Sequence, residues 1–445
     1  MLNTRYILKM KAEVVNTSVL RIGNGEETIL LDTYTMRPIL PASGVAGSFR
    51  NFLEFSEPEN PYLRALFGEK EDGRKSRLFI EDAVCKDEFD GILELRRRVS
   101  IDPYTGTGGE EKFQVEMLGR GKKFDICFTI EARDKKELDE FQKLLRKAVK
   151  ALGMHIIRLG AQKTNGGGEF EVRKVWEGTA DLFDPLEYGS YLADSIKLQD
   201  VTAEVQKTEI RSEDIILQMK AVCRTPIMIG GDVTEGKNYA VKEFYKDSDQ
   251  AYVLPGSSLK GVIKMHCYKI AEYIGVNFLL LDAMFGKKGT DGRQGSIFVS
   301  DSIVERKSEG ANRKHDTGKY HGIGINKFTG GVRDGANYHS SPIKETFDLT
   351  LSVQRLTGLE RDAAVGLLLF VLRDLGQGRV AVGASSGKGF GRFDADKIEL
   401  WDGESKTIRW DDTEGKESEQ GIGKYMEALE IYRRGSAYEE TKATI

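Results

Sequence analysis

The most constraining feature of this 445-residue chain is that its sequence is written twice. LPASGVAGSFR from Leu40 is echoed by LPGSSLKGVIK from Leu254, Leu66-Phe67-Gly68 by Met284-Phe285-Gly286, and LFIEDA from Leu78 by IFVSDS from Ile297. Further on, IDPYTG from Ile101 matches INKFTG from Ile325, and Phe124-Asp125 matches Phe347-Asp348. The glycine-rich RLGAQKTNGGGEF from Arg158 matches AVGASSGKGFGRF from Ala381. Six matches in one order describe two homologous halves, residues 1–176 and 210–402, joined by an acidic, mixed connector at 177–209. A charged tail covers 403–445, where KYMEALEIYRR has Met426, Leu429 and Tyr432 spaced for a short docking helix.

Each half begins with an alternating strand. Tyr6, Leu8, Met10, Ala12 and Val14 share one face in the first, and Ile215, Leu217, Met219, Ala221 and Cys223 in the second. A helix follows each LP-x-S turn, with Val45, Phe49 and Phe52, or Leu259, Ile263 and Ile270, at helical spacing. The short strand LFIEDA or IFVSDS comes next, then a long segment ending in a strand, FDICFTI or FDLTLSV. The second helix opens on a capping-box pattern, Asp134 to Glu137 or Thr357 to Glu360, and a last strand leaves the glycine-rich loop. The order βαββαβ, twice, specifies an α+β chain of two tandem ferredoxin-like, RNA-recognition-like domains.

Lys plus Arg total 66 against 70 Asp plus Glu, a net charge of −4, so any polyanion must be met by a local basic track. The four cysteines, Cys85, Cys127, Cys223 and Cys267, form no CxxC pair, which fits a reducing cytosol and signals neither a disulfide framework nor a structural zinc site. The first residues alternate polar and apolar, and the longest apolar run, Leu367 to Leu372, is too short to span a bilayer. A cytoplasmic protein without a membrane anchor is expected.

Ser257 and Ser258 open a helix beside Lys260 and Lys264, where free N–H groups, hydroxyls and ammonium ions favour a phosphate. An ordinary serine cap with solvated lysines is the plain alternative. The first-half counterpart keeps Ser43, Ser48 and Arg50 but has no lysine. VGASSGKGFGRF is not a nucleotide P-loop, because Val382 and Gly389 stand where that motif needs Gly and Ser or Thr. Its glycines instead let backbone amides approach a sugar-phosphate chain, with Ser385, Ser386, Lys388 and Arg392, or Lys163 in the first half, adding polar contacts. A flexible turn is the bland reading.

Together, I-G-G near the first strand's end, P-G-S-S-L-K-G, L/M-F-G, I-[DN]-x-x-T-G and G-x-x-S-G-x-G-x-G resemble the RAMP superfamily of CRISPR proteins. More closely, each half resembles the repeating backbone subunit of type III effector complexes, in a tandem fusion of the subtype III-D kind. The resemblance implies a ferredoxin-like palm holding guide RNA (crRNA) and a β-hairpin thumb that wedges between bases, with other type III effector subunits and complementary target RNA as partners. The thumbs are expected between Ile101 and Phe124 and between Ile325 and Phe347. Tyr104 and Phe328 would stack on a base, or else pack their own hairpins, and Arg98, Arg120 and Arg333 would lie near phosphates.

In that family target RNA is cut beside the splayed nucleotide by an aspartate in the loop after the first strand, where one carboxylate acts as general base or holds a divalent cation, expected here to be magnesium. Asp32, followed by T-Y-T-M-R with Arg37, matches that motif. An ungapped alignment puts Glu26 there instead, with Glu27 beside it. The second half has Val or Lys at this place, with Asp232 and Asp247 too early or too late, so it is expected to bind RNA without cutting. A purely structural RNA-spacing subunit is the alternative. A third reading is a guide-precursor nuclease using His315, His321 and His339 as metal-free acid and base.

Overall fold

The computed structural model describes residues 4–23, 29–69, 73, 75–91, 93–101, 108–210, 213–235, 240–287, 292–304, 320–403, 405–409 and 422–433. The chain forms two compact units. One comprises Met1–Arg96, Gln114–Lys163 and Gly167–Ser212, the other Arg97–Phe113, Thr164–Gly166 and Glu213–Ile445. Both are mixed α+β.

In the first unit the alternating segment is β1 (Tyr6–Asn16). It is followed by α1 (Ala42–Ser56), β2 (Leu78–Ile80), β3 (Lys123–Ala132), α2 (Lys135–Gly153) and β4 (Phe170–Asp181). The antiparallel sheet runs β2-β3-β1-β4, with Gln199–Asp200 as an added edge. Leu8, Met10, Ala12 and Val14 share one core with Val45, Phe49 and Leu53 of α1 and with Leu138, Phe141, Leu145, Ala148 and Leu152 of α2. Phe49 of α1 stacks on Phe128 of β3 with ring centroids 5.6 Å apart, so the helix is seated on the sheet by an aromatic pair as well as by aliphatic burial. Asp134 caps α2 by accepting from the Glu137 amide at 2.8 Å, while the Glu137 carboxylate accepts from the Arg133 amide at 2.6 Å.

The second unit follows the same plan. Its elements are β5 (Ile215–Cys223), α3 (Gly256–Ile274), β6 (Ile297–Val299), β7 (Thr346–Val353), α4 (Gly358–Gly376), β8 (Lys397–Trp401) and β9 (Ser405–Arg409). The sheet order is β6-β7-β5-β8-β9, and all five inward residues of β5 are buried. Where β4 is continuous, its counterpart is broken: Phe393–Asp394 pairs with the end of β5, and pairing resumes in β8. The capping box expected at Thr357 does not form, since the Thr357 side chain makes no cap bond to α4.

Two departures from the sequence reading matter. Part of the 177–209 connector is folded, with helices at Pro185–Leu192 and Thr202–Lys207, the second placing Val205 in the first core. In the tail, residues 422–433 are helical, and the stripe expected through Met426, Leu429 and Tyr432 is rotated. Tyr425, Ala428 and Leu429 are the buried anchors, while Met426 and Tyr432 are half-buried. Gly366 of α4 explains the rotation, because a Cβ there would run into the Tyr425 carbonyl. Among the described residues, no helix is long and apolar enough to cross a membrane.

Each half of the sequence also carries a β-ribbon. Glu94–Ile101 pairs with Gly108–Met117, and Tyr320–Ile325 pairs antiparallel with Val332–Ser341. The second ribbon is widened by Gly230–Glu235 and Ala240–Phe244, the latter parallel to Val332–Ser341. Hairpins were expected to start at Ile101 and Ile325, but the arms begin earlier, and Ile325 ends its first arm. The I-N-K-F-T-G motif is therefore the turn of the ribbon and not its base.

Candidate nucleic-acid interface

The glycine-rich loops are closed identically in the two units. Leu159 N–H donates to Gly168 O and Gly168 N–H to Val19 O, both at 2.9 Å. In the second unit Val382 donates to Gly391 O at 2.9 Å and Gly391 to Pro226 O at 2.8 Å. Gly168 and Gly391 have φ of 82° and 78°, and a Cβ on either would collide with the carbonyl of Leu159 or Val382. These glycines serve loop closure, and their amides are already committed. The tops of the loops differ. Lys163 donates to Ser48 Oγ of α1 at 2.8 Å, whereas Ser385, Ser386 and Lys388 are exposed and Gly387 and Gly389 border open space. Arg392 is held at the loop base, its guanidinium donating to the Gly378 carbonyl.

The helix starts bear on the phosphate reading. Both α1 and α3 have a proline at the cap, Pro41 and Pro255, and neither has a side-chain cap from its own turn. An aspartate from the following strand fills the place: Ala42 N–H donates to Asp82 Oδ1 and Gly256 N–H to Asp301 Oδ1, both at 2.7 Å. A carboxylate at the positive end of a helix disfavours a phosphate there. Lys260 is buried, with its ammonium donating to Ile297 O at 2.8 Å, and Lys264 lies 5.7 Å from the Tyr268 ring centroid. Arg50 pairs with Glu54 at 2.6 Å, and Ser43 is exposed. Ser257 and Ser258 are half-buried in the first turn of α3. The sequence reading did not single out these aspartates, although the pair IEDA and VSDS, repeated at matching places, carried the signal.

Among the described residues, the tip of the second ribbon carries the most exposed aromatic side chain. Phe328 is 98% exposed, the highest value among the exposed large apolar side chains. Asn326 organises the turn: its Oδ1 accepts from Phe328 N–H at 2.9 Å and Thr329 N–H at 3.3 Å, and its amide donates to Gly331 O at 2.9 Å. This is the physical content of I-N-K-F-T-G in the second unit, in which Asn326 builds the turn that presents the Phe328 ring. Lys327 and Arg333 are exposed beside it, as are Ile323, Ile325 and Val332. At the other end of the arm, Tyr320 meets Phe390 of the glycine loop edge-on, with centroids 5.1 Å apart. In the first unit Arg120 is half-buried on the turn after the second arm; Tyr104 and the side chain of Arg98 lie outside the described residues.

Asp32 sits in a tight turn between Leu31 and Pro38, which bridge. Its Oδ2 accepts from the Thr35 amide at 2.7 Å and the Thr35 hydroxyl at 2.6 Å, and its own amide donates to Arg37 O at 2.8 Å. The Thr35 hydroxyl, then its amide, hold the carboxyl below the usual aspartate range. Asp32 is thus a firmly ionised carboxylate, a weak base suited to meeting a cation. Arg37 reaches the Lys86 carbonyl at 3.4 Å. Glu26 and Glu27 lie outside the described residues. Among the described residues, no group of three His, Cys, Asp or Glu side chains could hold a metal. One carboxylate still suits magnesium, which keeps much of its water shell and takes further oxygens from a bound phosphate chain.

Of the histidines, His315 lies outside the described residues. His321 and His339 face each other across the second ribbon. No curated protein matches the chain. The family model of the RAMP superfamily matches residues 15–171 and again 220–394, which cover both glycine loops and both ribbons. With most of its length accounted for by these two matches, the chain belongs to the RAMP superfamily, CRISPR-associated RNA-binding proteins, and carries that family's domain twice.

Proposed function

We propose that the chain is a backbone subunit of a type III, subtype III-D-like, RNA-guided effector complex, in which two ferredoxin-like palms hold guide RNA and each ribbon serves as a thumb between bases. The sheet orders β2-β3-β1-β4 and β6-β7-β5-β8 support the palm assignment. The observation that carries the reading is Phe328, an almost wholly exposed ring on a turn tied by its own hydrogen bonds and flanked by Lys327 and Arg333. An exposed ring on an ordered tip loses little entropy when a base stacks on it.

In this proposal the first half cuts complementary target RNA through Asp32, and the second half spaces RNA without cutting. The Asp32 carboxylate would hold a divalent cation, magnesium, whose contribution when bound is to offset charge on the phosphate being cut. A specific observation favours a second reading, a structural spacer: the Thr35 bonds already give Asp32 a role in its turn. Asp32→Asn separates the two, since an amide oxygen still accepts from Thr35 but carries no charge. On the cutting reading, D32N removes one magnesium-dependent cut in a complementary RNA while guide-RNA binding and the thermal midpoint stay at wild-type values. Unchanged cutting in D32N discards Asp32 as the catalytic group.

A further inference from the structure

The nuclease reading leaves His321 and His339 without a role, yet their arrangement is specific. They are direct cross-strand partners in the second ribbon, their Nδ1 atoms are 2.5 Å apart, and their rings meet at 79° with centroids separated by 4.5 Å. Two imidazoles pointing the same nitrogen at each other can share one proton, so in the neutral pair one ring donates and the other accepts. The same geometry is one step from chelation. On a tetrahedral ion with metal–nitrogen bonds of about 2.05 Å, two imidazole nitrogens stand about 3.3 Å apart, which the present pair reaches by opening about 0.8 Å. His321 is exposed and His339 half-buried, and rotation about the side-chain bonds of the exposed ring is the motion that supplies this opening.

We propose that His321 and His339 form a two-imidazole clasp for a borderline-soft divalent transition metal, with zinc the natural occupant. Imidazole selects such ions over magnesium or calcium, which take oxygen ligands. The strands hold both ligands opposite one another before the ion arrives, so binding closes no new loop. No third His, Cys, Asp or Glu among the described residues joins the pair, which leaves the remaining positions to water or to an anionic oxygen such as a phosphate. The ion would pin the arm Tyr320–Ile325 to the arm Val332–Ser341 below the Phe328 tip.

The test is calorimetric titration of the tag-free, full-length chain with zinc chloride, alongside His321→Ala, His339→Ala and, as a control, His266→Ala, whose ring is paired with Asp374 at 2.9 Å. The expected result is one equivalent bound by wild type and by H266A, and loss of that binding in H321A and in H339A. Thermal unfolding gives a second readout: zinc raises the midpoint of wild type but of neither ribbon variant. Equal zinc binding by wild type and the doubly substituted H321A/H339A chain overturns the clasp, as does an absence of zinc binding by wild type.

Discussion

Glycine is the residue that separates the two kinds of loop chemistry in this chain. Gly391 and Gly168 occupy left-handed backbone at a point of close approach to a carbonyl, whereas Gly387 faces open space in the same kind of loop. Replacing Gly391 or Gly168 by Ala is expected to lower stability by at least about 1–3 kcal/mol, and Gly387→Ala to stay within about 0.5 kcal/mol. Denaturant midpoints of the three variants check this; equal shifts would show that the loops are not closed as described. All of these glycines look alike in sequence, because a left-handed φ leaves no mark in composition. The same limit applies to Asp32, whose place in a motif was legible while its bonds to Thr35 were not. Phe328, by contrast, was readable as an aromatic set in a glycine-rich turn.

At the scale of elements, legibility followed burial. β1 and β5 were evident because one face of each is packed in a core and the alternation runs through the middle of β1 and the whole of β5. The terminal helix docks through the expected Leu429, with Met426 and Tyr432 half-buried against the same core, but its contact line also runs through Tyr425 and Ala428, where Gly366 of α4, distant in sequence, admits the Tyr425 backbone. That helix is held by a small polar knot: Tyr425 donates to Asp402 Oδ2 at 2.7 Å and the Lys424 ammonium pairs with the same carboxylate. Burial raises the Asp402 pKa, but the bonds from Lys424 and Tyr425 outweigh it and hold the group below its ordinary value. A depressed carboxylate contributes stability that is present above its unfolded pKa and lost as pH falls through the folded one. The docked helix is therefore expected to loosen below the ordinary aspartate range, near pH 4. In Asp402→Asn that acid-dependent step should shrink; hydrogen exchange at the amides of 425–429 measures it, and an identical pH profile in D402N rules the knot out as its source.

Across the whole molecule, a net charge of −4 means that affinity for RNA must come from placed cations and stacking rather than from overall attraction. The two contributions respond differently to salt. Phe328→Ala is expected to weaken RNA binding about 5- to 150-fold, the loss of one stacked base, at an unchanged slope of log affinity against log salt. Arg333→Ala should lower that slope by about 1, the release of one phosphate contact. Filter binding across a salt series reads both, and an F328A chain that binds as wild type removes the ring from the interface. The duplicated plan was legible because it repeats in the sequence; the borrowed caps were not, because Asp82 and Asp301 lie 40 and 45 residues beyond the first residues of the helices they serve. On a ribosome adding about 5–20 residues each second, the start of α3 therefore waits about 2–9 s for its partner to be translated. Each unit thus carries a built-in delay: its first helix is secured only once the chain beyond it has been made.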